Sequence, residues 1–514
     1  ERLSRIRRLD YMQAAKKGML NIVCGFLGQI VIIAIGIVVP RLVVVSYGSE
    51  VNGLLTSVTQ IFTCFSLFEA GIGAASLQAL YAPVVHSDRE EIQGIIVATH
   101  KFYIKTGTLY AGSVVLLALL YPVFVKTSIS YWTVVGIIVF GGLGNCFNFL
   151  YQGKYRILME AEGYLFIATN ITTVINVITS LTKVALLLMG YNVLAVQFSY
   201  FCINILQMLI YSFFIKKHYS WLDFNTAPNL EAISQKGATL IHQISGIIFY
   251  NTDTIFLTLI LQNLKVVSVY TMYNNIIQMV NTMLVQLVNG FNFRLGQIFN
   301  TDKKEYNRLH HIMEVISLGS MFSVMTVVYI CILPFMRLYT SGVNDVNYID
   351  KLYPVFFVLV PIMSYGRNIG NNVVNFAGHF RQTQWRAVTE TVLNIVISVA
   401  LIWKVGIIGA LLGSIIASAY RTVDIIFYAY KHLLEGKPWL TLKRWLVCFI
   451  IFIVIVCTVN QNMLFADSYL KVILLGGVSL IICICIYFAG LFITNKEEAK
   501  DIINMAKNYI FKKE

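Results

Sequence analysis

Residues 468–494 read SYLKVILLGGVSLIICICIYFAGLFIT, a run whose single charge, Lys471, stands near one end. An α-helix rises about 1.5 Å per residue and a bilayer core is about 30 Å thick, so a run this long and this apolar crosses a membrane. The same reading repeats along the 514-residue chain. It predicts fourteen spans, at 19–45, 51–80, 102–125, 131–153, 164–189, 192–215, 237–262, 266–293, 311–336, 352–377, 383–403, 406–430, 444–461 and 468–494. The chain is 57% hydrophobic and only 12% charged, half the charge of an average soluble domain at about 25%. A soluble enzyme is excluded, and no polar stretch between spans is long enough to fold as a catalytic domain.

The first segment, ERLSRIRRLDYMQAAKKG, is basic and leads directly into the apolar run that starts at Met19. It reads as the flank of an uncleaved first span and not as a signal peptide. The nine cysteines all fall inside apolar runs without a CxxC pair, so they read as small packing residues, with no metal or other cofactor expected.

The net charge of +14 points to membrane orientation and not to nucleic acid, because lysine and arginine collect in cytoplasmic loops. With a cytoplasmic N-terminus and fourteen spans, seven basic residues fall on the outer side (Arg41, Lys126, Lys265, Arg337, Lys351, Lys404 and Lys471) against 28 on the inner side. That bias predicts both termini in the cytoplasm. Trp132, Trp385, Trp403, Trp439 and Trp445 lie at or near span ends, the headgroup depth that indole prefers.

The longest central cytoplasmic connection, HYSWLDFNTAPNLEAISQ at 218–235, divides six spans from eight and reads as a hinge. The expected parts are an N-terminal lobe at 1–217, a linker at 218–236, a C-terminal lobe at 237–430, two further spans at 431–494 and a cytoplasmic amphipathic tail at 495–514. In the tail Ile502, Ile503, Ala506 and Ile510 share a helical side among lysines, a pattern that suits the inner leaflet surface. Lys17-Gly18 opens the first span and Lys236-Gly237 the seventh, a faint parallel repeat of a kind used by transporters.

Charges inside a bilayer are costly and face a cavity or a partner. Those deepest in the predicted spans are Glu69, Lys183, Asp253, Arg367, Glu390, Arg421 and Asp424. Arg421 and Asp424, three apart on one helix, are close enough for a structural ion pair. Amide stripes are more telling. Asn274, Gln278, Asn281, Asn289 and Asn292 follow a helical period on the eighth span. The tenth span carries Tyr365, Arg367, Asn368, Asn371, Asn372 and Asn375, the sixth Gln197, Tyr200, Asn204, Gln207 and Tyr211, and the second Asn52, Thr56, Gln60 and Thr63. Hydrogen bonding that only holds the bundle together explains any one stripe. Four stripes favour a water-filled cavity whose amides and tyrosines suit a ligand rich in hydroxyls.

On this reading the substrate-binding candidates are Arg367, Asn274, Gln278, Asn281, Asn368, Asn371, Asn204 and Gln60, and the coupling or gating candidates are Glu69, Asp253 and Glu390. Arg367 offers a planar charged fork to a phosphate, or pairs with Glu390 on the next span. Glu69 precedes Gly71 and Gly73, which weaken the helix, so it can act as a proton-sensitive latch or cap freed amides. No glycine-rich phosphate loop, HExxH or GxSxG motif accompanies them, and no enzymatic activity is expected.

Phe68-Glu69-Ala70-Gly71-Ile72-Gly73-Ala74, followed by Leu80-Tyr81-Ala82-Pro83 and Asp88, resembles the E-x-G-x-G … L-Y-x-P … D signature of bacterial Wzx-type polysaccharide flippases. These belong to the multidrug/oligosaccharidyl-lipid/polysaccharide exporter superfamily. Tyr151, Tyr155-Arg156, Leu158, Ala161 and Tyr164 resemble that family's cytoplasmic motif, although Glu162-Gly163 stand where it carries a Gln. Asn251-Thr252-Asp253 sits where its seventh span carries Thr-Asp. The resemblance covers most of residues 15–300. It implies an all-α integral membrane fold, with two six-helix lobes around a central cavity plus two C-terminal helices. It further implies transfer of an undecaprenyl-pyrophosphate-linked oligosaccharide from the cytoplasmic to the outer leaflet of the bacterial inner membrane by alternating access. The implied partners are that lipid-linked substrate, membrane lipids and other polysaccharide assembly proteins. The competing readings are a small-molecule or multidrug cation antiporter of the same superfamily and a membrane polysaccharide polymerase. An antiporter should concentrate carboxylates in its cavity, and a polymerase should carry large outer loops with clustered arginine.

Overall fold

The computed structural model describes residues 35–69, 72–147, 150–151, 153–224, 226–230, 237–459, 464 and 466–511, and the regular elements among these are all helices. They fall into two compact units that divide between Ser268 and Val269. The first contains α1 (Ile35–Tyr47), α2 (Ser49–Phe65), α3 (Ile72–His86), α4 (Arg89–Phe124), α5 (Tyr131–Phe147), α6 (Gly153–Ala161), α7 (Leu165–Leu188), α8 (Val193–His218) and α9 (Gly237–Leu261). The division falls within α10 (Leu264–Thr301). The second unit continues with α11 (Lys303–Tyr339), α12 (Tyr353–Phe376), α13 (Phe380–Val405), α14 (Ile407–His432), α15 (Pro438–Thr458), α16 (Tyr469–Thr494) and α17 (Lys496–Phe511).

Among the described residues ten helices are long and apolar enough to cross a membrane, and α1 and α5 are shorter apolar helices. The remaining two predicted spans fall on α10 and α12, whose amides lower their apolar character. The protein is thus an all-helical, multi-pass membrane protein. Trp132, Trp385, Trp403 and Trp439 are exposed, as residues of an aromatic belt should be.

The second predicted span differs from a single helix over 51–80. α2 stops at Phe65, residues Ser66–Glu69 form a 3₁₀ turn, and α3 begins at Ile72. The Ser66 amide is shared between the carbonyls of Thr63 and Cys64, and its hydroxyl donates to Thr63 O at 2.6 Å. Tightened bonding of this kind ends an α-helix. Asp88, part of the sequence signature, is the N-cap of α4, accepting from Glu91 N at 3.1 Å.

In the first unit α4, α5 and α8 pack side by side, α7 lies on α8, and α9 lies on α2. Lipid is as apolar as the helix surfaces, so close backbone approach and buried hydrogen bonds drive this packing. A Cβ at Gly53 would sit 1.8 Å from Leu264 O, and the adjacent Asn52 Nδ2 donates to Ser268 Oγ, one turn beyond Leu264, at 2.7 Å. The second unit uses the same device between α13 and α14: a Cβ on Gly413 would meet Ser398 Oγ at 2.0 Å, and Asn394 Nδ2 donates to Ser414 Oγ at 2.9 Å.

The corner where α11, α15 and α17 meet is held by ions. The fully buried Arg444 on α15 donates to Glu314 on α11 and to Glu498 on α17. Its Nε donates to Asn495 Oδ1 at 2.9 Å. Arg308 Nε, nearer the start of α11, donates to Asp501 Oδ2 at 2.7 Å, and that guanidinium holds the Asp501 carboxyl below its ordinary range. The tail helix is therefore tied to α11 and α15 through its acidic residues.

Candidate functional site

A cavity of about 490 Å³ lies within the first unit, lined from α3, α4, α6, α7 and α8 and by the 3₁₀ turn. Glu69 closes that turn, and its Oε1 accepts a hydrogen bond from the hydroxyl of Tyr103 on α4. Two glycines make room for the tyrosine. A Cβ at Gly153 would lie 2.5 Å from Tyr103 Cε1, and one at Gly73 would lie 3.6 Å from its hydroxyl. Arg156 on α6 is exposed into the cavity, near enough for its charge to act on Glu69 and Tyr103.

The opposite wall is neutral and polar. Thr172, Asn176 and Thr179 lie on one face of α7 and meet Tyr200, Asn204 and Gln207 of α8. Asn204 Nδ2 donates to Tyr200 O at 2.8 Å, and the Tyr200 hydroxyl donates to Asn145 Oδ1 at 2.7 Å. Lys183 continues the α7 face one turn further on, with Nζ 4.8 Å from the centre of the Tyr200 ring, a cation–π distance. Hydroxyls, amides, one guanidinium and the carboxylates of Glu69 and Glu160 thus converge on one space, able to donate and accept toward sugar hydroxyls and, through the guanidinium, to donate to an anion.

Directly beside this site the chain leaving α8 folds back. Gln93 Nε2 on α4 donates to Asp223 O and Thr226 Oγ1, each at 2.7 Å, and Asn229 N donates to Gly94 O at 3.0 Å. Tyr219 donates to Glu162 Oε2 at 2.6 Å. Lys154 of α6 lies under Phe224, its Nζ 4.8 Å from that ring and 4.9 Å from the Tyr155 ring. Burial pulls the Lys154 ammonium down to about 8. Residues 219–224 and 226–229 of the connection read as a hinge are therefore strapped onto α4 and α6.

Of the candidates read from sequence, the structure brings Glu69 and Asn204 into the cavity. Gln60 is half-buried on α2 and does not line it; its neighbours Thr56 and Thr63 bond back to their own helix. Asp253 is buried on α9. In the second unit Asn281 Nδ2 donates to Gln278 Oε1 at 3.3 Å, while Asn274, Asn368 and Asn371 are half-buried. The side chains of Arg367, Asn289 and Asn292 lie outside the described residues. Glu390 faces Arg421, with Nε 3.8 Å from its Oε2. Arg421 also reaches Asp424 at 3.2 Å, which in turn pairs with Arg386. Tyr103, Thr172, Asn176 and Thr179 were missed by the sequence reading, although the spacing of the last three on α7 was a usable signal.

The sequence matches no established family and no curated protein. Solved structures do match. The lipid II flippase MurJ in an inward closed conformation aligns with a TM-score of 0.65 at 14% identity, covering 92% of this chain and 100% of its own. An inward-facing multidrug resistance MATE family transporter of the MOP superfamily aligns at 0.60 and 12% identity, over 83% of this chain and 96% of its own. An outward-facing transporter of that kind aligns at 0.52 and 10% identity, over 81% of this chain and 95% of its own. The chain therefore has the fold shared by MurJ and the MATE transporters.

Proposed function

We propose that this protein is a flippase of the multidrug/oligosaccharidyl-lipid/polysaccharide exporter superfamily. In this reading it carries an undecaprenyl-pyrophosphate-linked oligosaccharide from the cytoplasmic to the outer leaflet of a bacterial cytoplasmic membrane by alternating access, for surface polysaccharide biosynthesis. The observation that carries the reading is the lining of the first-unit cavity: Arg156 beside a wall of Asn176, Asn204, Gln207 and Tyr200. The guanidinium is a permanent, bidentate donor for a pyrophosphate, and the amides exchange both kinds of hydrogen bond with sugar hydroxyls. The isoprenoid tail stays in lipid, where it costs nothing to solvate. Arg367 is proposed to contact the pyrophosphate from α12.

The structural likeness supports the flippase reading over the transporter one. A match to MurJ over 92% of the chain leaves fewer residues unmatched than α15 to α17 contain, so it extends into the C-terminal helices. The match to the inward-facing MATE transporter, at 83%, does not require them. A cation antiporter is the second reading, favoured by the carboxylates of Glu69 and Glu160 in the cavity.

Reconstitution separates the two. In liposomes carrying an undecaprenyl-pyrophosphate oligosaccharide, the protein should move the glycan to the opposite leaflet, read by its accessibility to an impermeant glycosidase. Arg156→Ala should slow this at least tenfold. Proton-driven movement of an organic cation, with no glycan transfer, would establish the antiporter instead.

A further inference from the structure

A second cavity, of about 410 Å³, opens at the C-terminal end of α14 against α13 and the start of α15. Its ionisable groups are Arg386, Asp424, Lys431 and His432. Asp424 is already neutralised, by Arg386 and by Arg421, and Arg421 is itself shared with Glu390. Lys431 and His432 are exposed, and neither makes an ion pair among the described residues. The excess charge facing the opening is positive. Aromatic rings form the wall: the Arg386 guanidinium carbon lies 4.9 Å from the centre of the Tyr428 ring, which also stands 4.8 Å from the His432 ring.

The same opening continues into an apolar track. Phe427 and Trp439 meet edge to face at 6.2 Å and are 42% and 67% exposed. Along α14 the exposed residues Ile416, Tyr420 and Val423 precede Phe427 at spacings of four, three and four, which place them on one helical face. A polar, cationic head position thus leads into an unbroken lipid-facing stripe. Soluble anions have no use for such a stripe, whereas an acyl chain does.

We propose that this cavity is a binding site for an anionic bilayer phospholipid, with the phosphodiester held by Lys431, His432 and Arg386 and one acyl chain laid along the Ile416–Phe427 stripe. Basic pockets between membrane helices at the cytoplasmic side are suited to such headgroups, where the leaflet itself is anionic. The charge bias of the loops places the end of α14 on that side. Zwitterionic phosphatidylcholine carries the same phosphate with a tethered cation that Lys431 repels, so the site discriminates by net charge. This site is independent of the transport substrate and of the cavity in the first unit.

The test uses the intact protein in nanodiscs of mixed phosphatidylglycerol and phosphatidylcholine. Native mass spectrometry should show retained phosphatidylglycerol at least fivefold over phosphatidylcholine, and the double variant Lys431→Gln, His432→Gln should lose that preference with an unchanged melting temperature. Brominated lipids give a readout on unaltered protein, because bromine on the acyl chain quenches a nearby indole. Brominated phosphatidylglycerol should quench the fluorescence component that Trp439→Phe removes, and brominated phosphatidylcholine should quench it less. Equal retention and equal quenching by the two lipids overturn the proposal. So does displacement of phosphatidylglycerol by millimolar inorganic phosphate, which would identify a free-anion site.

Discussion

Lys154 Nζ donates a 2.7 Å hydrogen bond to Nδ1 of His100, joining α6 to α4 directly beneath Phe224 of the strap. The contact is buried, with Lys154 only 4% exposed, and it places an amine without a carboxylate partner under the Phe224 ring.

That environment sets a pH dependence. Burial lowers the folded-state value of Lys154 to about 8 from 10.5, so between those two values the unfolded chain holds more protons than the folded one. Stability should therefore rise as pH climbs through that window, and fall away again as pH drops toward 8, by up to about 3 kcal/mol. Thermal unfolding in detergent from pH 7 to 10.5 would show the rise, and Lys154→Met should flatten it. An identical slope in both proteins would disprove the assignment.

Glu69 and Tyr103 act as one unit on the proposed latch. Glu69→Gln should lower glycan transfer at least tenfold and remove any dependence on an imposed proton gradient. Tyr103→Phe, which deletes only the hydroxyl, should cost less, about 1–2 kcal/mol of the interaction. Full activity of Glu69→Gln in proteoliposomes, indifferent to a collapsed gradient, would rule the latch out.

The contact depends on the absence of a side chain at residue 153. Gly153→Ala places a methyl against the Tyr103 ring at 2.5 Å, an overlap that the ring relieves only by leaving Glu69. We expect a loss of about 1–3 kcal/mol in stability together with the transport defect of Tyr103→Phe. Crosslinking or labelling of the cavity should report the displaced ring; unchanged melting and transport would contradict the packing.

At the other end of the chain, Arg444 is the counter-ion for two carboxylates. Arg444→Met leaves Glu314 and Glu498 without it in a buried site, a loss of about 3–5 kcal/mol. It should also release α17, read as faster proteolysis after residue 495. Glu498→Gln, which retains a hydrogen-bond acceptor, should cost less than half as much. Comparable melting temperatures for Arg444→Met and the unaltered protein would show that the tail is held by other contacts.

Arg367 is expected to serve the pyrophosphate and not a fold-stabilising pair, because Glu390 already faces Arg421 at 3.8 Å. Arg367→Ala should abolish glycan transfer at normal expression, and Arg367→Lys should retain little of it, since a single ammonium cannot replace a bidentate fork. Normal transfer by either variant would remove Arg367 from the site, and rescue of Arg367→Glu by Glu390→Arg would identify a structural pair.

The sequence alone determined the membrane class and the placement of the helices. Apolar length is a local property, so among the described residues the predicted spans fall on helices, the second on two of them, and residues 468–494 coincide with α16 almost residue for residue. Part of the cavity was legible in the same way: Tyr200, Asn204 and Gln207 follow one helical face of α8, and that face is polar because it lines the space. The row at Asn52, Thr56, Gln60 and Thr63 has the same spacing, yet Asn52 is spent on Ser268 and the two threonines on their own helix. Periodicity reports that a face avoids lipid; it does not report whether the face meets water, a ligand or another helix. Only the tertiary structure decided that Tyr103 bonds Glu69, that Glu390 and Asp424 share Arg421, and that Arg444 gathers Glu314 and Glu498. Apart from Arg421 and Asp424, whose pairing at three residues' spacing was legible in the sequence, those partners stand tens to more than a hundred residues apart in the chain, and in a low dielectric the cost of leaving any of them unpaired is what selects the fold that joins them.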